Sequence, residues 1–250
     1  MAVDMDFKDE ELKQLKELKL LNKDFLQSTT GSVSVRKYLE EASEKDDLLL
    51  RFLRGRKYNG KRAWETLKHY AEVRFDIYPE VFPQNYPVQV HALRENPILG
   101  VLKHRDSLGR RIMVMNAADW NPEEYSLEIL TIASIVMIEK LLLDDDGLSN
   151  GIVYIQQCSG VGMKQAQQYT LRAMRRLVSV FWYAFPLQIK GLYFVNVPTI
   201  LSCAFAMLHI LGPGTDYQNV YTTISLDTLP KCLGGTLELQ DAIDNSFLTI

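Results

Sequence analysis

The sequence predicts an α/β fold: a largely parallel sheet flanked by helices, behind an N-terminal all-helical region. Three observations predict it. Up to about residue 77 the apolar residues recur at helical spacing. From Pro97 onward, short β-branched runs alternate with longer apolar runs, the order of a parallel sheet with right-handed crossovers. Between these regions, Tyr78 to Pro87 holds three prolines in ten residues and reads as a linker. Residues 1–84 are therefore assigned to the helical region and 85–250 to the main domain.

Each element has a local reason. Glu10 to Leu26 places Leu12, Leu15, Leu18, Leu21 and Phe25 on one stripe between lysines and glutamates, the pattern of a half-buried helix. Asp46 or Asp47 can cap a short helix, Leu48 to Arg54, that stops at Gly55. Gly60 precedes a further helix, Lys61 to Ile77, which ends before Pro79. Pro97 to Lys103 and Arg111 to Asn116 are apolar runs on either side of the turn Asp106-Ser107-Leu108-Gly109, suggesting a hairpin. Leu127 to Leu143 is a long apolar helix ending at Asp144-Asp145-Asp146-Gly147. Gly151 to Gln156 and Ile189 to Val195 are strands, and Lys164 to Phe185, stopped by Pro186, is the helix between them. Thr199 to Leu211 is a helix ended by Gly212-Pro213-Gly214, and Val220 to Ile224 is a last short strand.

Composition narrows the function classes. Of the 250 residues, 47% are hydrophobic and 24% charged, ordinary for a globular protein that can build a sizeable core. With 28 basic and 31 acidic residues the net charge is −3, so no global field draws the chain to nucleic acid or to an anionic membrane. Cys158, Cys203 and Cys232 are odd in number and far apart, which fits reduced thiols in the cytoplasm rather than a disulfide framework or a zinc site. Met1 to Glu11 is polar and acidic, with no apolar stretch of the signal-peptide kind.

Enzymatic chemistry is not indicated. His69, His91, His104 and His209 show no metal-ligand spacing. Gly-x-Ser-x-Gly is absent. Asp144 to Gly147 lacks the alternating ligands and the distal Glu of a calcium loop. Gly160-Val161-Gly162 lies between a strand and a helix, where a dinucleotide fingerprint would sit, but Gln165 replaces the third glycine. No nucleophile, base and orienter come together, so neither a cofactor nor a metal is expected. A nucleotide-dependent α/β enzyme using Gly160 and Gly162 is the alternative from another class, and a non-binding interaction scaffold is a third.

The positive signal is a surplus of apolar surface. Thr199 to Leu211 is apolar on nearly every face, whereas a surface helix would show a polar stripe; a fully buried core helix is the competing reading. Leu127 to Leu143 has little polar face either, yet Thr131 and Ser134 sit within it. Hydroxyls in an apolar lining can orient a ligand, although such groups commonly bond their own backbone. Ile152, Tyr154 and Gln156 stand two apart and share one sheet face. Two basic clusters stand out, one from Arg51 to Arg62 and the other Arg172, Arg175 and Arg176; solvated faces or local ion pairs are the plain reading of both.

Five segments stand out in order: D-L-L-L-R-F-L-R-G-R-K-Y (Asp47 to Tyr58), R-D-S-L-G-R-R-I (Arg105 to Ile112), W-N-P (Trp120 to Pro122), F-P-L-Q-I-K-G-L-Y-F-V-N-V-P (Phe185 to Pro198) and L-P-K-C-L-G-G (Leu229 to Gly235). Together they resemble the CRAL-TRIO lipid-binding family, in particular the branch of α-tocopherol transfer protein and cellular retinaldehyde-binding protein. The resemblance implies that the sheet and its helices enclose an apolar cavity for one small lipid of tocopherol or retinoid size, closed by a helical lid. Carried over by position, the lining takes Thr131, Ser134, Ile135 and Ile138 from the first long helix of the main domain. Ile152, Tyr154 and Gln156 come from the next strand. Tyr169, Leu177, Val180, Phe181 and Phe185 follow from the next helical segment, and Ile189, Leu192 and Phe194 from the strand after it. The lid is the helix starting after Asn196-x-Pro198, with Ile200, Leu201, Ala204, Phe205 and Leu208. Arg54, Arg56, Lys57 and Lys190 are candidate phosphate or membrane contacts.

Two departures qualify this. Gln156-Gln157 occupy a stretch where the family usually has an Asp. The segment after the lid has no basic residue and Gln188 replaces another, which counts against phosphoinositide binding. The expected partners are thus a small hydrophobic lipid and, transiently, a membrane surface, but no nucleic acid. The expected protein is a cytoplasmic monomer that carries lipid between membranes and is not an enzyme.

Overall fold

The structure is a computed structural model and describes residues 2–143, 150–212 and 226–249. The chain forms two compact units, Met1–Pro79 with Ser179–Gln188, and Glu80–Val178 with Ile189–Ile250. Asp144 to Gly147, the Pro213-Gly214 stop and the strand expected over Val220 to Ile224 lie outside the described residues.

The first unit is helical. It contains α1 (Ala2–Gln27), α2 (Val33–Ser43), α3 (Asp46–Gly55) and α4 (Gly60–Glu72), with α4 running on into a π-helical turn at Val73–Ile77. Helix α2 carries only a short apolar stripe, Val35, Leu39 and Ala42, and is not among the helices that the sequence predicts. Its N-cap is Ser32, whose hydroxyl accepts from Val35 N at 3.2 Å. Asp46 and Asp47 lie inside the first turn of α3 rather than at its cap, where negative charge still complements the helix dipole. Asn59, not Gly60, caps α4, accepting from Arg62 N at 2.9 Å. Leu18, Leu39, Leu49, Leu53 and Leu67 are fully buried.

The segment Ser179–Gln188 belongs to this unit, and close approach explains how it packs. A Cβ on Gly55 would stand 1.7 Å from the Pro186 carbonyl oxygen, so only glycine lets α3 touch that backbone. The Arg56 guanidinium donates to Phe185 O at 2.8 Å and to Thr66 Oγ1 at 2.8 Å.

The second unit carries the sheet. Helix α5 (Val88–Glu95) begins directly after Pro87, so the last proline of the proline-rich segment starts a helix, as its fixed φ permits. Strands β1 (Leu99–Val101), β2 (Arg111–Asn116), β3 (Ile152–Gln157) and β4 (Ile189–Val195) follow in the order β1-β2-β3-β4. β1 is antiparallel to β2, as the hairpin reading expects, and β2, β3 and β4 are parallel. Asp106 builds the hairpin turn by accepting from Leu108 N and Arg110 N at 3.0 and 2.9 Å, with Gly109 at φ +73°. The C-terminal segment pairs with β1 through Lys103 N to Ala242 O and Asp244 N to Val101 O, at 2.9 and 2.8 Å, covering that sheet edge.

Helix α6 (Leu127–Leu141) is capped by Ser126 and packs along β1, α5 and the C-terminal turn Asn245–Leu248. The helix expected over Lys164 to Phe185 is broken into α7 (Met163–Ala166), α8 (Leu171–Val178) and a π-helical turn at Ser179–Ala184. The break has a local cause: Thr170 Oγ1 accepts from Ala173 N at 3.2 Å, starting α8 afresh as a cap does. After a single tight turn at Thr199–Leu201, helix α9 (Ser202–Leu211) follows, and α10 (Leu239–Ala242) closes the unit.

Candidate functional site

The two faces of the sheet are finished differently. On one face Ile112 and Val114 of β2, Val153 and Ile155 of β3, and Tyr193 of β4 pack against Leu229, Leu233, Ala242 and Ile243 in a buried core. Gly191 lets the Tyr193 ring lie over β4, since a Cβ there would come within 2.3 Å of that ring.

The opposite face has Met113, Tyr154 and Leu192 in one row and Met115, Gln156 and Phe194 in the next, as the strand register dictates. Leu192 is buried, while Tyr154 and Phe194 are half-buried. Their rings lie 6.3 Å apart, and Phe194 meets Phe205 of α9 edge-on at 4.5 Å, a favourable aromatic geometry. Helix α9 thus lies against this face, beside α8.

A polar group crosses the apolar surface. The Tyr154 hydroxyl donates to Gln156 Oε1 at 3.0 Å and lies 3.5 Å from Met115 Sδ. Gln156 Nε2 donates to Tyr169 Oη at 3.3 Å. Tyr169, in the loop between α7 and α8, rests edge-on against Trp120 at 5.9 Å. Burial pushes the Tyr169 phenol up to about 12, partly opposed by the Gln156 hydrogen bond. Burial raises Tyr154 well above the usual phenol range and lifts the nearby Cys158 thiol to about 12. All three groups are neutral at physiological pH.

Helix α9 and the turn before it have a covered apolar side and an exposed side of mixed character, with Ser202 and His209 among its residues. Leu201 and Leu208 are buried and Ala204 and Phe205 half-buried, an inward stripe at i, i+3, i+4 and i+7. Ile200, Cys203, Ala206, His209 and Ile210 are exposed, Ile210 at 82%. A fully buried core helix is therefore the wrong description.

The other expected site residues are distributed as follows. Thr131, Ile135 and Ile138 are buried on α6, and Ser134 is half-buried there. The Thr131 and Ser134 hydroxyls donate to Leu127 O and Leu130 O, at 2.6 and 2.8 Å, the carbonyls one turn back. Leu177 is half-buried on α8, and Ile152 pairs with Ile189 just before a bulge in β4. Val180, Phe181 and Phe185 fall in the helical unit. Arg54 and Arg56 are half-buried there, with Arg56 engaged as described, whereas Lys57 and Lys190 are exposed. Arg176 is buried, bonding Glu128 at 3.0 Å and Glu80 at 3.5 Å, so local ion pairs account for part of its cluster.

Met113, Met115 and Trp120 are not among the site residues that the sequence predicts. The two methionines carry a signal, because alternation along β2 puts them on the open face. Trp120 has only its place in W-N-P. At the Gly160-Val161-Gly162 turn, Gln165 Oε1 accepts from Gly162 N at 3.0 Å, so this side chain holds a backbone donor that a bound phosphate would use.

Residues 95–235, more than half of the chain, match the CRAL/TRIO domain. Alpha-tocopherol transfer protein-like from Mus musculus is 29% identical over 214 residues, covering 81% of this chain and 62% of that protein, and the Homo sapiens protein gives the same figures. Clavesin-1 from Xenopus laevis is 28% identical over 209 residues, covering 78% of this chain and 62% of its own. The chain thus spans less than two thirds of the length of these relatives. The crystal structure of Sfh5 aligns with a TM-score of 0.49 at 14% identity, over 82% of this chain and 76% of that one. On the match over residues 95–235, the chain belongs to the CRAL/TRIO domain family.

Proposed function

We propose that this protein binds one small hydrophobic lipid against the open face of its sheet, beneath α9, and carries it between membranes without catalysing a reaction. One observation carries the reading. Tyr154 keeps accessible surface on the open sheet face although α9 lies across that face, with Phe205 4.5 Å from Phe194. Tyr169, Phe194 and Phe205 are half-buried around it, and a guest would cover that apolar area. Each 100 Å² so covered contributes about 2.5 kcal/mol.

Membership of the CRAL/TRIO family and the similarity to alpha-tocopherol transfer protein-like support a lipid of tocopherol or retinoid size. Exposed Ile200 and Ile210, at the two ends of α9 and the turn before it, support exchange at a membrane. An apolar lid is costly to swing into water but finds a favourable medium at a lipid surface. No helix among the described residues is long and apolar enough to cross a membrane, consistent with peripheral contact. Cys158, Cys203 and Cys232 are free thiols, which supports work in a reducing compartment such as the cytoplasm.

Organic extraction and mass spectrometry of purified protein, with uptake of a hydrophobic fluorescent probe, tests the reading. Reproducible absence of both lipid and uptake would favour a scaffold. The lid has its own test. Phe205→Asp lowers lipid retention by about tenfold or more while folding stability falls by less than ~1 kcal/mol, as for other partly exposed positions. Equal losses would make α9 ordinary core.

A further inference from the structure

Helix α4 and the π-helical turn Ser179–Ala184, both in the helical unit, bring three side chains together. The His69 Nε2 lies 3.0 Å from Ser179 Oγ, across 110 residues of sequence. Its Nδ1 lies 3.8 Å from Glu72 Oε2, one turn on along α4. This order fixes the protons. A carboxylate only accepts, so Nδ1 carries the ring hydrogen toward Glu72, and Nε2 is left to accept from the Ser179 hydroxyl. Other helical hydroxyls, those of Thr66, Thr131 and Ser134, donate to the carbonyl one turn back, the usual choice. Ser179 donates to a base instead. Burial lowers the His69 pKa from its ordinary 6.5; Glu72 opposes this and Lys68 adds to it. The ring is therefore neutral, and able to take a proton, at physiological pH. Glu72 and Lys68 are the charged groups that act on it, and the facing turn contributes Ser179 and the Tyr183 ring, edge-on at 6.4 Å. Ser179, His69 and Glu72 are half-buried and Tyr183 is exposed, which leaves the hydroxyl within reach of a small molecule.

We propose that Ser179 is a modification site that accepts an acyl group from a small activated ester or thioester, with His69 as its general base and Glu72 as the residue that positions the ring. Nucleophile, base and orienter then stand in the order that such activation requires. In the step, Ser179 Oγ bonds to the acyl carbon and its proton passes to His69 Nε2. The bond from that carbon to the leaving oxygen or sulfur breaks, and the phenolate or thiolate departs with the electron pair. The imidazolium then returns its proton to water. One acyl group is taken up per chain, with no turnover, and the site is independent of the lipid-binding reading.

The test treats the full chain with p-nitrophenyl acetate and follows acetylation residue by residue by mass spectrometry. At pH 7.5 Ser179 should be acetylated about 100-fold faster than the other serines, the lower end of what a positioned base supplies. The wild-type rate should rise with pH as His69 loses its proton, with a midpoint below 6.5. His69→Gln should slow Ser179 about 100-fold and abolish that midpoint. Glu72→Gln should slow it less and move the midpoint to lower pH, because the Glu72 charge raises the His69 pKa; a merely structural carboxylate would leave the midpoint in place. Circular dichroism at 222 nm reports whether each variant folds, and the wild-type rate and its pH profile decide the matter without any variant. Ser179 acetylated no faster than the other serines, or at a rate that ignores the protonation of His69, overturns the site. A midpoint unmoved by Glu72→Gln overturns the positioning role of Glu72.

Discussion

Three side chains hold protons beyond their usual range, and this has a measurable consequence. Cys158 moves from 9.0 to about 12, Tyr169 from 10.0 to about 12, and Tyr154 moves well above 10.0, in each case mainly through burial. In the unfolded chain the thiol and phenols ionise near their ordinary values. Above about pH 9 the unfolded state therefore binds fewer protons than the folded one, and stability falls as pH rises. The contribution is fully present below pH 9 and is lost progressively toward pH 12. Urea midpoints measured from pH 8 to 11 should decline, and Cys158→Ala should remove the part of the decline that begins near pH 9. A flat profile would place these groups in water. At this scale the strand residues were legible, because Ile152, Tyr154 and Gln156 follow a period of two. Tyr169 was not legible from periodicity, since it lies in a loop and reaches Gln156 only through tertiary folding. The Thr131 and Ser134 hydroxyls were open to two readings, and the hydrogen bonds one turn back settle where their protons go.

At the scale of elements, close packing decides what periodicity leaves open. Gly55 ends α3 against Pro186, with no room for a Cβ. Gly55→Ala should destabilise the helical unit by about 1–3 kcal/mol, the range for an overpacked core, seen as a lower urea midpoint by circular dichroism at 222 nm. An unchanged midpoint would mean that the segment at Pro186 moves away freely. The helices with long apolar stripes, α1, α4 and α6, are visible in the sequence. Helix α2 is not, because its stripe is only three residues long, and α5 is hidden behind Pro87, which reads as a breaker although it starts a helix. The run from Lys164 to Phe185 reads as one helix because its composition is helical throughout. Thr170 interrupts it with a side-chain hydrogen bond that no hydrophobic period reports. For α9 the sequence shows an apolar helix, and only its seat against Phe194 shows which half is covered.

For the whole molecule, a ligand that binds only the folded chain must raise its stability. At a free lipid concentration of 100 times Kd the gain is about 2.7 kcal/mol. Thermal midpoints should therefore rise when delipidated protein is reloaded and should fall on extraction; equal midpoints would mean that the lipid does not bind the folded form selectively. The sequence by itself determined the α/β class, the helical N-terminal region, the strands β2, β3 and β4 and the family resemblance, because these follow from local periodicity and from motifs that lie along the chain. Tertiary structure alone decided that residues 179–188 join the N-terminal helices, that one sheet face is sealed by the C-terminal segment, and that Tyr169 completes a relay with Tyr154 and Gln156. The reason is physical. A hydrophobic pattern states that a face must be covered, but what covers it depends on contacts between residues far apart in the chain, and local spacing carries no record of those.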